Sequence, residues 1–139
     1  MARLLLVEDD TRTRDLFSQF FRMKGYQVLE AKDGEEAVAL AAQHAFDLIV
    51  MDVKMPKLDG LEAFHRIRAG CPSSKVLLMT GFTMNTEELN QVLQESTVAY
   101  VHKPFTFDQL TAAISRLMEV PSSAESSGAE SSDAGGGAS

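Results

Sequence analysis

Leu4-Leu5-Leu6-Val7-Glu8-Asp9-Asp10 is the stretch that decides the fold, because four apolar residues run without a break into three acids. So short and continuous a run suits a strand buried on both faces, as in parallel sheets. The acids then stand at its carboxyl end. Three more runs end in chemistry of the same kind: Asp52 follows Leu48 to Met51, Thr80 follows Val76 to Met79, and Lys103 stands just beyond Val98 to Val101. Neighbouring parallel strands share one rim at their carboxyl ends, where open α/β sheets bind ligands. Carboxylates, a hydroxyl and an ammonium are therefore expected in one pocket.

Between the runs the pattern changes to helical period, which predicts repeated βα units, an α/β class and a parallel sheet. The predicted strands are Leu4 to Val7, Val28 to Ala31, Leu48 to Met51, Val76 to Met79 and Val98 to Val101. All but the second are apolar throughout and are expected to be buried on both faces; Glu30 marks the second as an edge. Leu16, Phe17, Phe20 and Phe21 form one apolar stripe. Leu110, Ala113, Ile114, Leu117 and Met118 form another, and both are expected to face the core. Four helix starts share a capping signature, Asp33 with Glu36, Asp59 with Glu62, Asn85 with Glu88 and Thr106 with Gln109. Lys24-Gly25 is a helix stop.

The 139 residues, 45% of them hydrophobic, suit one domain with a real core. From Val120 to Ser139 the chain turns to Ser, Ala, Gly and acid behind Pro121, which reads as a disordered tail or linker. Three of the seven net negative charges belong to Glu125, Glu130 and Asp133 in that tail. The acidic balance argues against a nucleic-acid surface. Cys71 is a single cysteine in a Gly-Cys-Pro-Ser turn, so it forms no internal disulfide and reads as a loop residue in a reduced compartment. No run is long enough to cross a bilayer and Met1-Ala2-Arg3 carries no signal peptide, so a soluble, cytoplasmic chain is expected.

Gathered together, Glu8, Asp9 and Asp52 repel: two carboxylates about 4 Å apart cost roughly 4 kcal/mol at an effective dielectric of 20. Such a cluster shares protons or holds a cation. All the donors are hard oxygens with no adjoining histidine or cysteine, which suits magnesium better than zinc. Asp10 also fits a plain helix cap, whereas Asp52 ends an apolar strand, where burial demands a partner. Lys103, stiffened by Pro104, either neutralises Asp52 or holds a phosphoryl group upon it, and one cation serves both ends. With Thr80 as a hydroxyl donor, the set suits phosphoryl transfer to Asp52 as nucleophile. An aspartate is already ionised near neutral pH, so no general base is needed.

The ordered series Val7-Glu8-Asp9-Asp10, Met51-Asp52-Val53-Lys54-Met55-Pro56, Asp59-Gly60, Met79-Thr80-Gly81 and Tyr100-Val101-His102-Lys103-Pro104-Phe105 resembles the motifs of response-regulator receiver domains, over Arg3 to about Glu119. The resemblance implies a doubly wound, flavodoxin-like fold of five parallel strands in the order 2-1-3-4-5, with a receiver domain over 1–119 and a tail or linker over 120–139. It implies Asp52 as phosphoacceptor and magnesium held by Asp9 and Asp52, by Glu8 through water and by the Lys54 carbonyl. Thr80 and Lys103 would complete the catalytic set, with Thr80 and Tyr100 as switch pair and Lys54 and Phe82 tuning phosphoryl lifetime. The phosphate donor would be a sensor histidine kinase or phosphotransfer protein of a bacterial two-component system, and the domain would catalyse only its own phosphorylation and dephosphorylation.

The resemblance further implies output to an unidentified protein through the fourth helix, fifth strand and fifth helix, from a monomer or a phosphorylation-dependent dimer. Direct nucleic-acid and membrane binding are not expected. Two features vary from the pattern: Glu8 stands where many members carry aspartate, and the segment from Thr80 to Lys103 is slightly long. No output domain is expected within the residues after Glu119, and both a stand-alone regulator and an excised domain fit.

Rival readings fare less well. A flavin-binding protein of this fold would place a Ser/Thr/Gly loop after the first strand, where Glu8-Asp9-Asp10 would repel a phosphate. An aspartate-nucleophile phosphatase would carry its nucleophile on the first strand, and this chain has no cap domain. A receiver-like module without phosphate chemistry would not need Asp9, Asp52, Thr80 and Lys103 together. His44, His65 and His102 are scattered and read as solvated or partly packed, and alternation turns His102 away from the face of Lys103.

Overall fold

The computed structural model describes residues 2–53, 60–70, 74–81 and 87–119. Five strands, β1 (Arg3–Val7), β2 (Gln27–Ala31), β3 (Leu48–Asp52), β4 (Lys75–Thr80) and β5 (Val98–His102), alternate with α1 (Thr11–Met23), α2 (Gly34–Gln43), α3 (Gly60–Gly70), α4 (Glu87–Val92) and α5 (Phe107–Met118). The strands form one parallel sheet in the order β2-β1-β3-β4-β5. This is the expected doubly wound, flavodoxin-like arrangement, and each strand extends a residue or two beyond its apolar run.

Alternation along the strands divides the core in two. Leu4, Leu6, Leu48, Val50, Leu77 and Met79 face Phe17 and Phe21 of α1 and Leu110, Ile114 and Leu117 of α5. Leu5, Val7, Ile49, Met51, Val76 and Leu78 face Ala37, Ala41, Phe64, Ile67 and Val92 on the other side. The same parity, carried one step past β1 and β5, assigns Glu8, Asp52 and Lys103 to the α1/α5 side and Thr80, Tyr100 and His102 to the opposite side.

Two expectations are corrected. β5 is not buried on both faces: Val98 and Val101 are covered, but Tyr100 and His102 are exposed, because β5 is the sheet's second edge and its outer neighbour is solvent. Leu16 is not core either. It is 53% exposed, because α1 rests on the sheet through Phe17 and Phe21 and Leu16 falls at the margin of that face.

The helix ends follow local chemistry. Asp33 accepts from the Glu36 N–H, and Thr106 with Gln109 forms a complete capping box. Glu36 reaches one residue further than expected, to the Lys32 N–H. The Asp59 and Asn85 caps, Cys71, Lys54, Phe82 and residues 120–139 lie outside the described residues. α1 ends as expected, with Gly25 at φ +98°, its N–H donating to Arg22 O at 3.0 Å and the Tyr26 N–H to Phe21 O at 3.1 Å. That is a Schellman stop, and a Cβ is disfavoured at such a φ. Gly25→Ala is expected to lower the unfolding free energy by about 1 kcal/mol, read from urea denaturation at unchanged slope.

Candidate functional site

The rim assembles as parity requires. Carboxylate oxygens of Glu8, Asp9 and Asp52 lie within 4.8 Å of one another, and Lys103 Nζ donates to Asp52 Oδ2 at 2.6 Å. Register explains the meeting. Val7 pairs with Met51 and Asp52 with Met79, while the Lys103 N–H donates to Thr80 O at 2.7 Å, so the ends of β1, β3, β4 and β5 stop level. The Asp52 side chain is only 7% exposed and that of Lys103 42%, so the carboxylate lies at the floor and the ammonium leans over it from the mouth. The Lys103–Pro104 peptide is cis.

Glu8 is buried. Its Oε2 accepts from the Asp10 N–H at 3.2 Å, whereas Oε1 has no hydrogen-bond partner among the described residues. Burial pushes the Glu8 carboxyl up from 4.5 to about 7; the Asp10 N–H and Lys103 oppose this, while Asp52 and Asp9 add to it. A buried, unpartnered carboxylate oxygen beside two further carboxylates, all of them hard donors, fits a magnesium ion. Asp9 is exposed at the entrance, where an ion would arrive. Lys54, expected to add a carbonyl, lies outside the described residues.

A pH effect follows for the metal-free protein. Between about 4.5 and 7 folded Glu8 keeps a proton that the unfolded chain has lost, so stability falls as pH rises through that window. The loss by pH 8 is on the order of 3 kcal/mol at most. Urea unfolding in chelator at pH 5 and pH 8 is expected to show that decline, and Glu8→Gln or saturating magnesium should largely flatten it.

Asp10 behaves as a cap. Its Oδ2 accepts from the Thr13 N–H at 2.8 Å and hydroxyl at 2.7 Å, which holds its carboxyl below the usual range. Thr80 is buried with its hydroxyl turned to β5, Oγ1 lying 3.4 Å from Val101 O and 3.4 Å from His102 Nδ1. Tyr100 points outward, 46% exposed. The site therefore brings together Glu8, Asp9, Asp52 and Lys103, while the proposed switch pair stands on the far side of the sheet end.

Sequence reading missed Arg14. Its Nη1 donates to the Glu8 carbonyl at 2.8 Å, and its Nε pairs with Glu30 at 3.3 Å. Buried Ser18 donates to the same Glu30 at 2.8 Å. The acid that interrupts β2 is thus the anchor of a brace on the loop carrying Glu8, and an acid in an apolar strand facing a basic helix was the available signal. Also missed was the apolar flank: Leu16, Phe17, Pro104, Phe105 and Phe107 line one cavity of about 530 Å³ together with the acids and Lys103.

Known proteins resemble this chain in sequence and in fold. The family model for the response regulator receiver domain matches residues 4–115. The chain is 36% identical over 123 residues to the transcriptional regulatory protein PdtaR of Mycobacterium tuberculosis, covering 85% of this chain and 59% of that protein. It is 31% identical to the regulatory protein AtoC of Escherichia coli, over 86% of this chain and 26% of AtoC. It therefore spans about three fifths or less of these relatives.

Among solved structures, the receiver domain of a Pseudomonas aeruginosa sensor histidine kinase, with a magnesium ion coordinated in its active site cleft, aligns at TM-score 0.74 and 28% identity, covering 86% of this chain and 98% of that one. Response regulator TrrA of Thermotoga maritima, in complex with Mg(2+)-BeF, aligns at TM-score 0.70 and 30% identity over 84% and 99%. Among the described residues no helix is long and apolar enough to cross a membrane.

Proposed function

The chain belongs to the response regulator receiver domain family, and from that premise we propose that Asp52 receives a phosphoryl group from the phosphohistidine of a sensor kinase or phosphotransfer protein in a bacterial cytoplasm. The observation that carries the proposal is the buried Asp52 carboxylate, with Lys103 Nζ at 2.6 Å and the Glu8 and Asp9 oxygens close by. An Asp52 oxygen attacks phosphorus as the P–N bond to the donor imidazole breaks, so one covalent bond replaces another and the nucleophile needs no base. Lys103 holds the carboxylate in place before transfer and faces the phosphoryl oxygens afterwards. Glu8, Asp9, Asp52 and the Lys54 carbonyl would hold magnesium, which supplies charge neutralisation for the acids and the incoming phosphoryl group. Hydrolysis of the acyl phosphate would return the domain to rest.

The apolar flank headed by exposed Leu16 suits docking of the donor protein beside the acids. Thr80 and Tyr100 would report the phosphate by turning inward, changing the face of α4, β5 and α5 for a downstream protein. We assign the receiver to residues 1–119 and a linker or tail to 120–139. Intact-mass measurement after treatment with a small acyl phosphate tests the proposal: one added phosphoryl group is expected with magnesium and none in chelator. Equal incorporation without metal would refute it.

A further inference from the structure

The switch side of the sheet holds a residue with no part in the chemistry above. His102 pairs with Thr80 in the ladder between β4 and β5, and its Nδ1 lies 3.4 Å from the Thr80 hydroxyl oxygen. The same oxygen lies 3.4 Å from Val101 O. A hydroxyl has one proton to give but can also accept. Both contacts are satisfied together when His102 Nδ1–H donates to Thr80 Oγ1 and the Thr80 hydroxyl donates to Val101 O. Thr80 is 1% exposed, so a buried hydroxyl is being held by β5 at two points, each long and individually weak. The His102 ring also meets Tyr100 edge to face, with centroids 5.3 Å apart at 84°.

We propose that His102 is a positioning residue of the switch, holding the Thr80 hydroxyl and the Tyr100 ring in their resting places and so setting how readily the domain responds to phosphate. The proposal rests on the reading of Thr80 and Tyr100 as the switch pair. Thr80 must leave His102 before its hydroxyl can turn to a phosphoryl oxygen near Asp52, and Tyr100 must leave the imidazole edge to move inward. A contact made only in the resting state shifts the equilibrium toward rest by its full strength. One imidazole touching both members also makes their movements interdependent.

Two substitutions separate the polar contact from the ring contact. His102→Asn keeps an N–H donor near the Nδ1 position and removes the ring, whereas His102→Phe keeps a ring against Tyr100 and removes the donor. The probe is beryllium fluoride, a phosphoryl mimic, titrated into each magnesium-saturated protein. His102→Phe is expected to raise its apparent affinity by about threefold to tenfold, the span of one weak neutral hydrogen bond, and His102→Asn by clearly less, because it keeps the donor and loses only the ring contact with Tyr100.

A second measurement needs no phosphoryl chemistry. In the free protein, NMR resonances of the Thr80 methyl and the Tyr100 ring are expected to move in His102→Phe toward their positions in the beryllium fluoride complex or, should no complex form, away from their resting positions. Coincidence of these resonances in the unaltered protein and His102→Phe would overturn the proposal, as would equal displacement in both variants. Failure of the unaltered protein to bind beryllium fluoride would count against the phosphoacceptor reading instead, and the free-protein spectra would still decide the part played by His102.

Discussion

Asp52→Asn is expected to reduce phosphoryl incorporation to background, a loss of at least about a thousandfold. The amide has the shape of the carboxylate but no charge, so it cannot act as nucleophile toward phosphorus. The fold should persist, because Asp52 stands at the end of β3 and the apolar residues behind it, Leu48 to Met51, are untouched. Removing its charge also withdraws one of the influences that raise the Glu8 carboxyl. Magnesium binding is expected to weaken by tenfold or more, since one of three clustered carboxylates is gone. Mass spectrometry reads the first effect and metal titration by calorimetry the second.

Lys103→Met should also cripple phosphorylation, by about a hundredfold, yet move metal affinity the other way. The ammonium sits 2.6 Å from Asp52 Oδ2 and competes with any cation for that oxygen. Its removal leaves three acids with less neutralisation, and magnesium should bind several-fold more tightly. The stability cost in chelator should be modest, on the order of 1 kcal/mol, because Lys103 is substantially solvated while Asp52 is buried. Lys103→Arg restores charge but not a compact ammonium, and only partial recovery of the rate is expected. Opposite metal responses in Asp52→Asn and Lys103→Met, with phosphorylation lost in both, would distinguish a ligand from a counter-ion. Parallel responses would argue that the two residues simply hold the rim together.

Much of this was legible in the order of residue types. Short apolar runs leading into Glu8, Asp52 and Thr80, with Lys103 two residues past Val101, suit strands buried on both faces of a parallel sheet, and that arrangement brings these residues to one rim. Capping oxygens at Asp33 and Thr106 and the glycine after Lys24 act over three or four residues, so their outcome is local and readable. Harder to see was anything set by the margin of a packed face. Leu16 belongs to the same apolar stripe as Phe17, and only the tilt of α1 on the sheet exposes it. Val98 to Val101 looks like an interior strand, but its burial depends on a neighbour that an edge strand lacks. The brace from Ser18 and Arg14 through Glu30 joins residues of different elements, and the Thr80 hydroxyl meets Val101 and His102 across a strand pair. None of these contacts leaves a periodic trace along the chain.

Reduction of the phosphorylated protein with borohydride tests the central assignment most directly, because an acyl phosphate on aspartate is converted to homoserine and peptide mass mapping finds the position. After treatment with a small acyl phosphate and magnesium, conversion is predicted at Asp52 and nowhere else. Conversion at Glu8, Asp9 or any other acid, with Asp52 intact, would contradict the account.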